Sequence, residues 1–200
     1  TDILKDYRVV IMADPQEPFS EKDKYILDQY WMQGGRILWV VNGVRFSDEY
    51  LSQSGMTPVI PLELQIDDML FRYGVRVNAT LVQDLQCLPV PVDVSSDPQQ
   101  PNWQPMPWTY APLLLTSHAS PITRNLMQVS STMASTIEFV GGEDGIYKEV
   151  LLATSSASRI TGTPAQVDLG FDDANPEEYR YAYVPVAASM EGVFPSLFAH

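Results

Sequence analysis

The stretch from Tyr7 to Val44 places the strongest constraint on how this chain folds. Arg8 to Met12 is a short run dominated by β-branched residues, and it closes at the turn-forming pair Asp14-Pro15. From Ser20 the period becomes helical. Ile26, Leu27, Tyr30 and Trp31 share one face, with Glu21, Lys22, Asp28 and Gln29 on the other. Ser20 is a good N-cap, and Asp23 three places on gives an acidic capping box. Gly34-Gly35 ends the helix, because glycine enters the left-handed C-cap conformation without a Cβ clash. Ile37 to Val41 is nearly all apolar, the pattern of a strand covered on both faces. Strand, helix and strand in this space form a βαβ unit, which predicts a parallel pair with a right-handed crossover.

Downstream, Ser47 to Ser54 predicts a short helix capped by Ser47 and stopped by Gly55, and Thr57 to Pro61 reads as a proline-bounded connector. A further helix starts near Pro61 and runs through Leu62, Ile66, Met69, Leu70 and Tyr73 to Gly74, where Val75 to Val77 resumes as a strand. On it, Asp68 and Arg72 can pair across one turn for ~0.3 kcal/mol. Leu88 to Pro112 is rich in proline and holds Trp103 and Trp108. It reads as a long loop packed over the sheet, since tryptophans bury and loops of this length are uncommon in compact domains. Ser120 to Leu126 predicts a short helix. Strand-like runs follow at 113–116, 137–140, 150–154 and 180–186, with Gly141 to Gly145 as a hairpin-type turn. The expected organisation is one α/β domain: a βαβ-type core at 1–85, a Pro/Trp-rich loop at 86–112 and a strand-rich remainder at 113–200.

Four stretches resemble one family: ILDQYWMQGGRILWVVN (26–42), LFRYGVRVNATLVQDL (70–85), PWTYAPLLL (107–115) and MEGVFPSLF (190–198). In order and spacing they are similar to the auxiliary, substrate-binding-type components of ABC transporters linked to gliding motility (GldG-type). The resemblance implies a parallel-core sheet flanked by helices, flavodoxin-like or class I amidotransferase-like, with a β-rich C-terminal extension. It also implies a periplasmic, extracytoplasmic domain whose partners are ABC transporter membrane and auxiliary subunits, or an envelope ligand, with membrane helices outside the soluble part. The residues alone leave the compartment open. No apolar run approaches the roughly 18–20 residues of a membrane span, and the ends at Thr1 and Phe198-Ala199-His200 read as those of a soluble fragment.

Composition narrows the partners. With 45% hydrophobic residues the chain can bury a real core. A formal charge of −13 disfavours nucleic acid, whose binding needs cations to neutralise phosphates, and disfavours docking on an anionic membrane surface.

Enzyme chemistry finds little support. An amidotransferase-like fold would place a nucleophile on a sharp strand-to-helix elbow, yet Ile37 to Val41 leads into Asn42-Gly43-Val44. Cys87, the single cysteine, sits in DLQCLPVP and reads as a small packed hydrophobe, with no motif spacing to His118 or His200. GFDDANPEE (170–178) gathers four carboxylates without the alternation of an EF-hand loop, so it reads as a solvated acidic loop. ADPQEPFSE lacks the glycines of a phosphate loop. No catalytic residue, metal site or cofactor is expected. The alternatives are a hydrolase or amidotransferase-like enzyme on the same fold, and an envelope-glycan-binding module using Trp103, Trp108 and Tyr110.

Topology nominates one binding site. In open α/β sheets ligands lie outside the carboxyl ends of strands. Those ends carry Asp14, Gln16 and Glu17 after the first strand and Asn42 and Arg45 after the second. Asp14, Gln16, Asn42 and Arg45 are therefore the expected ligand- or partner-binding residues, against the plainer reading that they cap turns. The segment around Trp103 and Trp108 is the other candidate contact surface.

Overall fold

The computed structural model describes residues 2–95, 99–141, 145–169 and 175–199. The βαβ unit forms as its pattern predicts. Strand β1 (Val10–Ala13) and strand β2 (Ile37–Val40) pair in parallel, Val10 opposite Ile37 and Ala13 opposite Val40. Helix α1 (Glu21–Met32) joins them. Ser20 and Asp23 form the reciprocal capping box, and Gly34 follows the helix at φ 87°.

The parallel-core α/β expectation fails beyond this unit. The chain is mostly β-sheet, 41% strand against 17% helix, with antiparallel sheets and a curled half-barrel. After β2 come β3 (Val44–Arg45), α2 (Asp48–Ser54), β4 (Met56–Pro61), α3 (Asp67–Tyr73), β5 (Val75–Val77), β6 (Thr80–Asp84), β7 (Cys87–Asp93) and β8 (Trp103–Thr116). Next are β9 (Gln128–Ser130), β10 (Ile137–Phe139), β11 (Ile146–Ala153), β12 (Ser158–Gly162), β13 (Ala165–Asp168) and β14 (Pro185–Gly192). The second helix-glycine-strand unit does not extend the parallel sheet. Gly74 ends α3 at φ 100°, but β5 then pairs antiparallel with β10. The connector at Thr57 to Pro61 is β4, the middle strand of an antiparallel sheet between β13 and β3. Thr57 and Val59 are fully buried there, so the strand is fixed by the face it covers rather than by its prolines.

The proline-rich stretch read as a loop is largely an antiparallel ladder of β7 and β8. Pro89 faces Pro107 and Pro91 faces Pro105. Facing prolines have no N–H to exchange, so they occupy the non-hydrogen-bonded sites and the bonds run through Val90↔Met106 and Val92↔Gln104. Val94 N donating to Asn102 O continues that alternation. Proline at every second position thus costs the ladder nothing. β8 also pairs β9 and β11, and β11 pairs β14.

Other differences are local. α3 starts at Asp67, leaving Leu62 and Ile66 in the preceding loop. Ser120 to Leu126 makes consecutive turns rather than a helix. The strand expected from Arg180 begins only at Pro185, because Tyr183 is in the left-handed region at φ 55°. Residues 142–144 of the expected hairpin turn lie outside the described residues, and the flanking β10 and β11 pair with other strands.

Among the described residues three apolar clusters hold the fold. Val44, Val59, Leu81, Trp108, Met133 and Val167 fill the inside of the antiparallel part. Leu64, Ile66, Leu70 and Val75 pack under Trp39 and Val41. Leu27, Met69 and Tyr73 pack α1 and α3 against Val10, Met12 and Ile37. Each large side chain removed from water in these clusters contributes about 1.5–3 kcal/mol.

Candidate functional site

β1 and β2 end side by side, and the four residues nominated there come together. Asp14 takes φ 48°, a conformation that Asp tolerates better than most side chains, and its N–H donates to the Val40 carbonyl at 2.8 Å. Its carboxylate oxygen Oδ1 accepts from Asn42 Nδ2 at 2.8 Å and from Gln16 Nε2 at 2.9 Å. Arg45 Nη2 donates to the main-chain carbonyl of Gln16. Asp14, Gln16 and Arg45 are exposed and Asn42 is half-buried. Arg45 therefore holds a neutral carbonyl rather than a carboxylate, and its charge stays open to solvent.

Asn42 also borders a cleft of about 160 Å³. Its walls are mostly apolar, from Val41, Leu62, Leu64, Ile66, Leu70 and Val77, with the exposed carboxylates of Glu63 and Asp67 as its acidic members.

The outer face of the β1–β2 pair departs from expectation. Instead of cover on both faces, burial alternates along both strands. Val10, Met12, Ile37 and Trp39 turn inward, while Ile11, Leu38 and Val40 are 61%, 51% and 53% exposed. Val9 continues this apolar stripe. It runs directly into the Asp14–Asn42 cluster.

The sequence reading missed a buried carboxylate. Asp28, assigned to the polar face of α1, is fully buried. It accepts from Tyr73 Oη at 2.6 Å, Ser196 Oγ at 2.7 Å and the Leu197 N–H at 2.8 Å, with Gln29 Nε2 at 3.1 Å. Around it Trp31 packs, tilted, at 4.4 Å from Tyr73 and 4.8 Å from Phe194, centroid to centroid. Burial and the bond to Asp28 push the Tyr73 hydroxyl far above its ordinary pKa. Lys24, one turn before Asp28, is buried too, paired with Glu21 at 2.6 Å and Asp68 at 2.8 Å. Burial pulls its pKa down, but the bonds to Asp68 and Glu21 outweigh that and leave it raised. The signal for both was the i,i+4 spacing of Lys24 and Asp28 beside Leu27 and Trp31, which puts a charged stripe against the apolar face.

The other candidates separate. Trp108 is buried in the core, with Nε1 donating to the Asp168 carbonyl at 3.0 Å, and Tyr110 packs against the same core. Of these three only Trp103 is exposed, at 63%, so they do not assemble an aromatic platform. Cys87 is half-buried in β7, and burial, then Asp84, push its thiol up, against a backbone bond at Trp108. No hydrogen bond joins it to the exposed His118 among the described residues. His200 and residues 170–174 of GFDDANPEE lie outside the described residues. Among the described residues, no three His, Cys, Asp or Glu side chains are grouped to hold a metal ion.

Three of the four family-like stretches meet at Asp28: α1 supplies it, α3 supplies Tyr73, and 190–198 supplies Phe194, Ser196 and Leu197. The fourth places Trp108 in the core. These stretches build the fold. The comparison with family models agrees with them: the model described as an ABC-type uncharacterized transport system matches residues 1–200. The chain belongs to that family. Its members are grouped as auxiliary components of ABC-type transport, and that affiliation points away from an enzyme. No curated protein matches the chain. Among solved structures it is similar to one described as the mmIFT52 N-terminal domain, at 18% identity and a TM-score of 0.44. That similarity covers 78% of this chain and 59% of the other. Among the described residues of this family member, no helix is long and apolar enough to cross a membrane.

Proposed function

We propose that this ABC-transport family domain is a non-catalytic binding module of a membrane-bound transport complex of the gliding-motility type, working on the periplasmic side. Its partners are the membrane and auxiliary subunits of the transporter, with an envelope ligand as a further occupant. One observation carries the reading: the outer face of the β1–β2 pair is apolar and uncovered, and it continues into the polar crevice of Asp14, Gln16, Asn42 and Arg45. Parallel strands are ordinarily covered on both faces, so this face is built to be covered by something else. An apolar centre beside polar, hydrogen-bonding groups is the anatomy of a protein interface. The family affiliation supplies the transport complex, and the motif resemblance supplies the gliding-motility type and the periplasmic side.

The test is co-purification of the full-length protein with its neighbouring transporter subunits. Leu38→Asp and Arg45→Glu are each expected to leave melting nearly unchanged and to reduce capture at least tenfold. Capture at parental level by both folded variants would refute this contact surface. Protease added to spheroplasts is expected to digest the domain together with a periplasmic control, and protection of the domain while that control is cut would refute the periplasmic side.

A further inference from the structure

The cleft beside Asn42 has a shape and charge of its own. At about 160 Å³ it is below the ~300–1,000 Å³ of sites for whole small molecules. It matches the ~150 Å³ apolar cavity known to admit a benzene-sized group. That is room for one side chain. Its frame is fixed by main-chain bonds, Leu62 N to Gly43 O at 3.1 Å and Phe19 N to Leu64 O at 2.9 Å. A Cβ on Gly43 would lie 2.3 Å from the Asn78 carbonyl oxygen, so the wall there admits no side chain of its own.

The charge is one-sided. Glu63 and Asp67 line the cleft, are exposed, and have no hydrogen bond or ion pair among the described residues. The neighbouring Asp68 is already engaged by Lys24. Among the described residues no Lys, Arg or His lines the cleft, and Arg45 is bonded to the Gln16 carbonyl. Asn42 gives one of its two amide hydrogens to Asp14 and keeps its carbonyl oxygen as an acceptor. Both charged side chains of the lining are thus anionic acceptors, in a chain of charge −13.

Resting on the binding-module reading above, we infer that this cleft receives one apolar side chain flanked by a lysine or arginine of the partner protein. The apolar group supplies the anchor, as buried side chains do at interface hot spots, and the cation meets Glu63 and Asp67.

The probes are N-acetyl-Phe-Lys-amide and N-acetyl-Phe-Glu-amide, titrated into the ¹⁵N-labelled chain while the amides of Gly43, Leu64 and Ala79 are followed. The lysine probe is expected to shift these amides with at least tenfold higher affinity than the glutamate probe. Glu63→Gln with Asp67→Asn should remove that preference, as should raising the salt, because exposed charges are screened. Ala79→Leu, at a half-buried lining position, should block both probes in a folded chain. Equal shifts from both probes, or none at these amides, would overturn the inference. So would a dimer that Ala79→Leu abolishes, since the occupant would then be a second copy. Subunit capture lost in Leu38→Asp but kept in Ala79→Leu would sink the cleft and spare the binding module. Probe binding without any capture by the parental protein would do the reverse.

Discussion

The β1–β2 pair and the β7–β8 hairpin treat their exposed surfaces in opposite ways. In the hairpin, β7 lies at the edge of its sheet, and its outward-facing sites are Pro89 and Pro91, which have no N–H to offer. Another strand cannot add there. In the parallel pair, neither strand carries proline, neither pairs with a third strand among the described residues, and the outer face is Ile11, Leu38 and Val40. The chain possesses the device that blunts an exposed strand and does not use it on β1 and β2. That contrast supports the proposal that the parallel pair carries the contact surface.

The largest effect that sharpens this contrast is in the core behind the hairpin. Trp108→Ala should cost about 3–5 kcal/mol in urea unfolding, whereas Leu38→Ser on the open face should stay within about 0.5 kcal/mol. A comparable loss at Leu38 would mean that the outer face is already covered in the isolated chain, and the contrast would break.

Next comes the anchor that holds the inner face of the parallel pair. Asp28→Ala leaves Tyr73 Oη, Ser196 Oγ and the Leu197 N–H without their acceptor. We expect a loss of about 3 kcal/mol, together with faster proteolysis after Gly192. A loss below about 1 kcal/mol would show that the C-terminal segment does not brace this end.

Tyr73→Phe should be milder, about 2 kcal/mol for a bond to a charged acceptor, and it carries a pH signature. The folded state raises the Tyr73 pKa, mainly by burial. Its contribution is therefore complete below the unfolded value near 10 and is lost as pH rises beyond it, since the unfolded chain gives up a proton that the folded chain keeps. Stability of the parent should fall by about 1.4 kcal/mol per pH unit above pH ~10 relative to Tyr73→Phe. Parallel pH profiles would refute the buried hydroxyl–carboxylate pair.

The smallest stability change is expected at the protected edge. Pro89→Val with Pro91→Val should alter unfolding by less than about 1 kcal/mol, because these sites carry no ladder bond to β8. Restored outward N–H groups should nevertheless promote self-association, read by sedimentation velocity. A variant that stays monomeric would remove the edge-protection argument.

What the sequence determined is local. The capping box at Ser20 and Asp23, the stop at Gly34, the helix between Ser47 and Gly55, and the parallel partnership of β1 and β2 depend on hydrogen bonds and periods within a few residues, or on a crossover with one favoured hand. The crevice followed from that unit, since strands that start in register end in register, and Asp14, Gln16, Asn42 and Arg45 meet as a consequence. Everything that depended on a distant partner was decided by tertiary structure. Val75 to Val77 has the composition of a parallel strand, and only β10, some sixty residues on, makes it antiparallel. Prolines that break a strand elsewhere are harmless in β7 and β8 because they face each other, a matter of register between two strands. Asp28 looks like a solvent residue along α1. It is buried because Tyr73 and the segment at Ser196 bring donors from 45 and 168 positions away, and a carboxylate can leave water only where such donors replace it.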